Sequence, residues 1–304
     1  MSRILNVGVI QMPVAMDTEV NLDYISNMVD EMMRNFHRPE LVIGVEYGSG
    51  FAPQTIPGPA TNFFCEIAKK YGIYFIPCSI AETHSNLPEG KTYNSAPVIN
   101  PKGEIIAVYR KMCPFYPVEE NVVPGSEYVV FDIPEKDTKV GVMICYDAYF
   151  PEIPRNLTLM GAEVLVKITL DQEPLYQGYK SMCATRAIEN QVYFICTNAV
   201  GISNGSTWYG HSSVIDPEAR VLWEAGKTPE ICTVTLDLDI VRKVREYGAF
   251  HLDQTIKHLA YFNLPMPFAN KIGDAPLFQK LSPPANTLAE YEAKIEHLVL
   301  PKKG

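Results

Sequence analysis

Short apolar runs that stop abruptly at a charge, a thiol or a proline punctuate this chain. Ile4–Ile10 reads as a buried strand ended by Gln11-Met12-Pro13. Leu22, Ile25, Met28, Val29, Met32 and Phe36 then recur at helical spacing, which predicts an amphipathic helix. Leu41–Val45 predicts a second buried strand terminating at Glu46. A loop rich in Gly and Pro runs from Gly48 to Pro59, followed by a helix over 60–71 and a strand at Ile73–Ile80. Asn100-Pro101-Lys102-Gly103 predicts a hairpin turn between strands near 93–99 and 104–110, with Lys111 at the end of the second. Val140-Gly141-Val142-Met143-Ile144 predicts a strand that halts at Cys145, with a helix near 152–160 soon after. The pattern continues with a strand at Glu163–Thr169, a helix around 175–189 and a strand at Val192–Asn198. A second hairpin turns at Asp216-Pro217-Glu218-Ala219.

Strands alternating with helices, with hairpins between, imply an α/β fold with a mixed sheet or two packed sheets and helices outside. Without repeats or linkers, one domain is expected over 1–245. The tail, 246–304, is of another kind. Five prolines between residues 265 and 284 predict extended chain docked on a surface. Thr287-Leu288-Ala289-Glu290 matches a capping box, opening a helix with Leu288, Tyr291, Ile295 and Leu298 on one face. Such an arm can cover its own subunit or grip a neighbouring one.

Bulk composition narrows the function classes. Apolar residues make up 47% and charged residues 20%, ordinary values for a globular protein. A net charge of -9 argues against nucleic acid or an anionic membrane as the main partner. No window holds the ~18 uninterrupted apolar residues of a membrane span, and the early strand pattern argues against a cleaved leader. Seven cysteines, widely spread and without a C-x-x-C pair, suit a reducing cytoplasm better than a disulfide framework.

Of those thiols, Cys145 has the setting of a nucleophile. A thiol on a strand-to-helix turn is lifted out of the sheet toward a helix N-terminus, which lowers its pKa. Packing is the ordinary role of a buried cysteine, so the case rests on its companions. Glu46, Lys111 and Glu119 sit at strand ends or in the loop just beyond. The carboxyl ends of strands are where α/β sites assemble. A thiol, a group to move its proton and a positive donor for an oxyanion are what amide hydrolysis requires.

The residues around them resemble the nitrilase superfamily, and within it the aliphatic amidase and formamidase branch. Arg110-Lys111-Met112-Cys113-Pro114-Phe115-Tyr116-Pro117-Val118-Glu119 follows that branch's lysine motif. Cys145, Asp147, Phe150, Pro151 and Glu152 match its C-x-D-x-x-(F/Y)-P-E pattern, and Gly210-His211-Ser212 fits a segment before a strand. The resemblance covers about residues 4–245 in the motifs' order. It implies an αββα four-layer sandwich with a C-terminal extension, commonly oligomeric, and no metal or organic cofactor. Cys145 is then the nucleophile and Glu46 the general base. Lys111, with the backbone N–H of Tyr146, stabilises the oxyanion, and Glu119 orients substrate and lysine. Tyr47 is shared with the branch and can line the pocket.

The implied reaction takes a small aliphatic amide to carboxylate and ammonia through a thioester. A nitrilase or an N-carbamoyl hydrolase shares the triad, and a non-catalytic scaffold is the reading from another class. The chain departs from the pattern in places. Gly44-Val45 stands where Phe-Pro is usual, Phe115 replaces a tryptophan of the pocket wall, and one extra residue precedes Pro124-Gly125. His211, His251 and His258 lack the companions of a metal site. His211 reads as a loop-fixing residue, and Cys113, though close to Lys111, as a packing one.

Overall fold

Runs such as Leu41–Val45 are apolar at every position, which is the pattern of a strand buried on both faces. The computed structural model shows what covers those faces. It describes residues 3–203, 205–248, 252, 254–262, 264–265, 270–278 and 281–295. The chain opens with β1 (Ile4–Gln11), α1 (Thr18–Arg34), β2 (Leu41–Val45), α2 (Pro59–Tyr71), β3 (Tyr74–Cys78), β4 (Ile80–Glu82), β5 (Tyr93–Ile99) and β6 (Ile105–Arg110). It continues with β7 (Val129–Ile133), β8 (Thr138–Ile144), α3 (Glu152–Leu159), β9 (Val164–Thr169), α4 (Tyr176–Asn190) and β10 (Tyr193–Asn198). A ribbon of β11 (Val200–Ser203) and β12 (Ser206–Tyr209) precedes β13 (Ser213–Ile215), β14 (Val221–Glu224) and β15 (Glu230–Asp237). The helices α5 (Asp239–Tyr247), α6 (Thr255–Phe262) and α7 (Leu288–Ile295) follow.

The first sheet has the order β15-β1-β2-β3-β5-β4, with β6 also on β5; the second runs β14-β13-β10-β9-β8-β7. In the first, β1, β2 and β3 are parallel, and in the second so are β8, β9 and β10. The period of two along each strand then sorts side chains into three cores. Leu41 and Ile43 share the central core with Val142, Ile144, Val166 and Ile168. Val42 and Phe75 pack with Ile25 and Val29 of α1 and Phe64 and Ile67 of α2. Met143, Leu165 and Phe194 pack with Ile153 and Leu157 of α3 and Cys183 and Ala187 of α4. Helix, sheet, sheet, helix is the αββα sandwich expected from the resemblance. Each fully buried aliphatic side chain contributes about 1.5–3 kcal/mol relative to its exposed state.

Two expectations need correction. Phe36 is not on the helix face: α1 ends at Arg34, Asn35 turns extended, and Phe36 is fully exposed. The predicted strand Ile73–Ile80 is two strands. Pro77 cannot donate to a ladder, and after Ser79 the chain crosses to pair with β5. The helix expected near 152–160 is α3, reached from Cys145 through a 3-10 turn over Cys145–Tyr149. Strands β7, β11, β12 and β15 were also not anticipated. β15 pairs with β1 along all eight residues, and most of its positions are only half-buried, a weak signal beside the fully apolar runs.

Gly44 shows why the usual Phe-Pro does not precede this glutamate. A Cβ there would lie 1.8 Å from the Pro77 carbonyl oxygen, and Thr197 Oγ1 donates to the Gly44 carbonyl at 2.5 Å. The two parallel strands approach too closely for any side chain. Gly44→Ala is expected to cost about 1–3 kcal/mol as an overpacked site and to displace Glu46. A denaturant midpoint unchanged from the wild type would count against this reading of the contact.

In the tail, Thr287 Oγ1 accepts the Glu290 N–H at 3.2 Å, as a capping residue should. The Glu290 carboxylate takes the N–H of Asn286, one residue earlier than in the expected box. Leu288 and Tyr291 are exposed, while the Leu288 N–H meets the Glu120 carboxylate at 2.8 Å. Leu298 lies outside the described residues. Among the described residues, no helix is long and apolar enough to cross a membrane.

Candidate active site

Cys145 begins the turn after β8 with φ at +49°. Non-glycine residues rarely adopt that left-handed conformation, and one held there stores strain. Asp147 supplies the restraint. Its Oδ2 accepts the Ile144 N–H at 3.0 Å and the Tyr109 hydroxyl at 2.6 Å, and its Oδ1 accepts the Cys113 N–H at 2.8 Å. One buried carboxylate thus ties the thiol's turn to β6 and to the loop after Lys111. Burial pushes Asp147 up to about 6, against the pull of these donors and of Lys111. Next to Lys111, Arg110 clamps the end of β6 by holding both oxygens of Glu82 at 2.7 Å.

Lys111 Nζ donates to Glu46 Oε1 at 2.9 Å and to Glu119 Oε2 at 2.7 Å. Asn94 Nδ2 bridges the same two carboxylates, at 2.8 and 3.1 Å. The second oxygen of Glu46 takes the Leu170 N–H at 2.8 Å. Glu119 also receives the Phe115 N–H at 2.6 Å and the Tyr47 hydroxyl at 3.1 Å. Tyr47, like Cys145, has a positive φ, +50°, and gives its own N–H to Ser79 Oγ. Both positive-φ residues adjoin the ends of parallel strands.

Glu46, Tyr47, Lys111, Phe115, Glu119 and Cys145 all line one cavity of about 510 Å³. Tyr146 does not: its ring packs against Phe115 at 5.1 Å and Phe150 at 5.2 Å. Only its backbone remains for the expected donor role. Cys113 is also absent from the wall and packs against the core beneath α3 and α4.

Burial shapes the charges. It holds Glu46 above the usual carboxylate range, with Glu119 and Asp171 adding to the rise and Lys111 opposing it. Burial opposes ionisation of Glu119 as well, but Lys111 and the donors around it outweigh this and leave it low. Lys111 is pulled down by burial yet kept well above its ordinary value by Cys145, Glu46 and Glu119. Cys145 departs from the sequence expectation. Burial and the neighbouring Glu46 push its thiol well up, and Lys111 compensates only in part. Enclosure by two sheets outweighs any helix-end effect and disfavours the thiolate.

Three residues that the sequence reading passed over complete the site. Asn94 is the bridge already described. Asp171 lines the cavity, and Cys145 Sγ donates to its Oδ1 at 3.4 Å. Lys167, wholly buried, binds the other oxygen of Asp171 at 2.5 Å and lies over the Tyr179 ring at 4.2 Å. A signal existed for both. Lys167 interrupts an apolar run, and Asp171 stands two residues past the end of β9, where Glu46 stands one past β2.

Two of the three histidines weighed as ligands hold local structure. His211 stacks on Tyr176 at 4.2 Å with Nδ1 3.1 Å from Glu224, the loop-fixing role expected of it. His258 lies on α6 against Phe262, and His251 falls outside the described residues. Among the described residues, no group of three or more His, Cys, Asp or Glu side chains is placed to hold a metal ion.

An αββα sandwich that gathers a thiol, a lysine and two glutamates where its parallel strands end is the build of a hydrolase for carbon–nitrogen bonds. The carbon-nitrogen hydrolase family model matches residues 6–246, and the chain belongs to that family, the nitrilase superfamily. A probable nitrilase of Schizosaccharomyces pombe is 31% identical, with 82% of this chain and 95% of that protein covered. An omega-amidase of Xenopus tropicalis is 30% identical over 66% of this chain and 75% of its own length. A 2-oxoglutaramate amidase of Bacillus subtilis is 33% identical over 62% and 71%. Among solved structures, Nit3 of Saccharomyces cerevisiae shares the fold with a TM-score of 0.75 at 24% identity, covering 84% of this chain and 97% of that one. An amidase from Nesterenkonia sp. gives 0.69 at 22%, covering 86% and 97%. These names point to the superfamily and to amidase or nitrilase chemistry, not to the aliphatic amidase and formamidase branch in particular.

Proposed function

We propose that this enzyme hydrolyses small, neutral aliphatic amides to carboxylate and ammonia. The observation that carries this reading is the charge of the cavity wall. Among the described residues its one lining cation is Lys111, already bound to two glutamates, and Asp171 adds another acid. A substrate with a free carboxylate, as in 2-oxoglutaramate, finds no unpaired partner there, and burying an unpaired charge is costly. Phe51, Phe115, Leu170, Leu175 and Trp208 offer apolar walls for an acyl chain instead.

In this mechanism Cys145 attacks the carbonyl carbon as Glu46 takes the thiol proton. A thiol that burial holds up needs such a general base. Lys111 and the Tyr146 N–H receive the oxyanion. Glu46 returns the proton to the leaving nitrogen, ammonia departs, and a thioester remains on Cys145. Water, deprotonated by Glu46, then releases the acid. Glu119 acts by holding Lys111 in place, with Tyr47 and the Phe115 N–H fixing Glu119 in turn.

The test is ammonia release from formamide, acetamide, propionamide, 2-oxoglutaramate, a simple nitrile and an N-carbamoyl amino acid. Turnover of the neutral amides ahead of the others supports the proposal, and preference for 2-oxoglutaramate or the nitrile overturns it. The pH profile offers a second check. Glu46 works as a base only when ionised, and burial raises its pKa above the ordinary 4.5. Activity should therefore vanish as pH falls through a midpoint above 4.5 in kcat/KM. A midpoint at or below that value is inconsistent with Glu46 as the base.

The division into a catalytic domain over 1–245 and an arm over 246–304 belongs to the same reading, in cytoplasmic homo-oligomers. The exposed Leu288 and Tyr291 give the arm an apolar face for a second copy of the chain. Truncation after residue 262 should lower the mass measured by light scattering; an unchanged subunit number removes the arm from assembly.

A further inference from the structure

The mechanism above leaves unused the buried pair Lys167–Asp171, although one oxygen of Asp171 touches the nucleophile. Burying two charges carries a desolvation penalty that their attraction often fails to offset, so a buried ion pair in a cavity wall calls for another explanation. Asp171 is also held with unusual completeness. Its N–H is accepted by Asn198 Oδ1 at 2.8 Å, and its Oδ2 is taken by Lys167 at 2.5 Å and the Tyr209 hydroxyl at 3.3 Å. Asp171 lines the cavity, and its Oδ1 lies 3.4 Å from Cys145 Sγ.

We propose that Asp171 Oδ1 is the acceptor for an N–H of the substrate's carboxamide, making it a specificity-determining residue for amides over substrates that lack an N–H. The inference rests on the amidase reading of the site. A carbonyl carbon poised for attack lies about 3–3.5 Å from the sulfur. The amide nitrogen, one bond further, then comes within hydrogen-bond reach of an oxygen at 3.4 Å from the same sulfur. Charge decides which end of the amide goes there. The carbonyl oxygen is drawn to Lys111 and repelled by Asp171, whereas an N–H is drawn to Asp171. The thiol donates to this acceptor at 3.4 Å, and the N–H of a bound amide takes its place. No proton is transferred to Asp171, and Glu46 remains the base. A nitrile or an ester brings no N–H and leaves the carboxylate without its donor.

Asp171→Asn tests this directly. Lys167 has no acceptor of its own, so the Asn side-chain oxygen turns to Lys167 and the amide NH2 faces the cavity, presenting a donor where the substrate also donates. Propionamide and ethyl propionate carry the same acyl group and differ in that N–H. In Asp171→Asn, kcat/KM for propionamide should fall about 10- to 100-fold, the effect of losing a hydrogen bond to a charged group, with the ester staying within about threefold. The double variant Lys167→Met/Asp171→Leu replaces the whole buried pair with apolar side chains and leaves no acceptor, so it should show the same loss of amide preference if the single variant folds poorly. Equal losses on amide and ester, or an unchanged amide-to-ester ratio in a folded variant, overturn the role of Asp171 alone. A wild-type protein that releases ammonia from no amide overturns the functional reading and this inference with it.

Discussion

Cys145→Ala should abolish ammonia release, lowering kcat by at least about 10⁴-fold, the scale seen when a covalent nucleophile is removed. Cys145 is the one thiol in the cavity wall, so no neighbouring cysteine can replace it among the described residues. The fold should survive. The side chain is small, alanine is its closest apolar substitute, and Asp147 still holds the turn through its three hydrogen bonds. Loss of activity with a thermal midpoint within a few degrees of the wild type is the expected pair of results. A folded Cys145→Ala protein that still releases ammonia at a comparable rate rules out the thioester route.

Lys111→Met should damage both chemistry and stability. The lysine is fully buried and is the cation shared by Glu46 and Glu119. Removing one member of such a cluster leaves buried acids uncompensated, at about 3–5 kcal/mol. Loss of the oxyanion donor should reduce kcat by about 10²–10³-fold in whatever protein remains folded. The two effects separate in a double variant. Lys111→Met with Glu119→Gln removes one of the stranded charges and should recover part of the stability, measured by denaturant midpoint, but none of the rate. Recovery of the rate would mean that Lys111 serves only to balance charge. Glu46 also loses its compensating cation in Lys111→Met, so the acid limb of any residual activity should move further up in pH.

The cluster that these variants probe was largely legible in the chain. Glu46 and Lys111 stand out because each ends an apolar run, and Glu119 because its motif lies a fixed distance beyond the lysine. Asp171 also stands close beyond a strand, two residues past β9, but no motif directs attention to it. Asn94 had less chance of being found. It lies within a strand, and its importance comes from bridging two acids that reach it from β2 and from the loop after Lys111. The helix register was read one turn too far at Phe36, since periodicity alone does not reveal where the surface beneath a helix ends. β15 was lost because an edge strand needs only half of its residues apolar.

The state of Cys145 marks the same boundary. By itself the sequence determined the layered α/β build, through runs apolar at every position that must be covered on both faces. It determined also which residues stand at the strand ends, because those runs stop there. The tertiary structure alone decided that the thiol is pushed up and not down, and that Glu46 is high while Glu119 is low. It also decided that a second acid, held by Lys167, faces the sulfur. Strand ends follow from local pattern. Charges in a buried site depend on how much water has been excluded and on which groups arrive from distant segments, and both are set only when the two sheets close on each other.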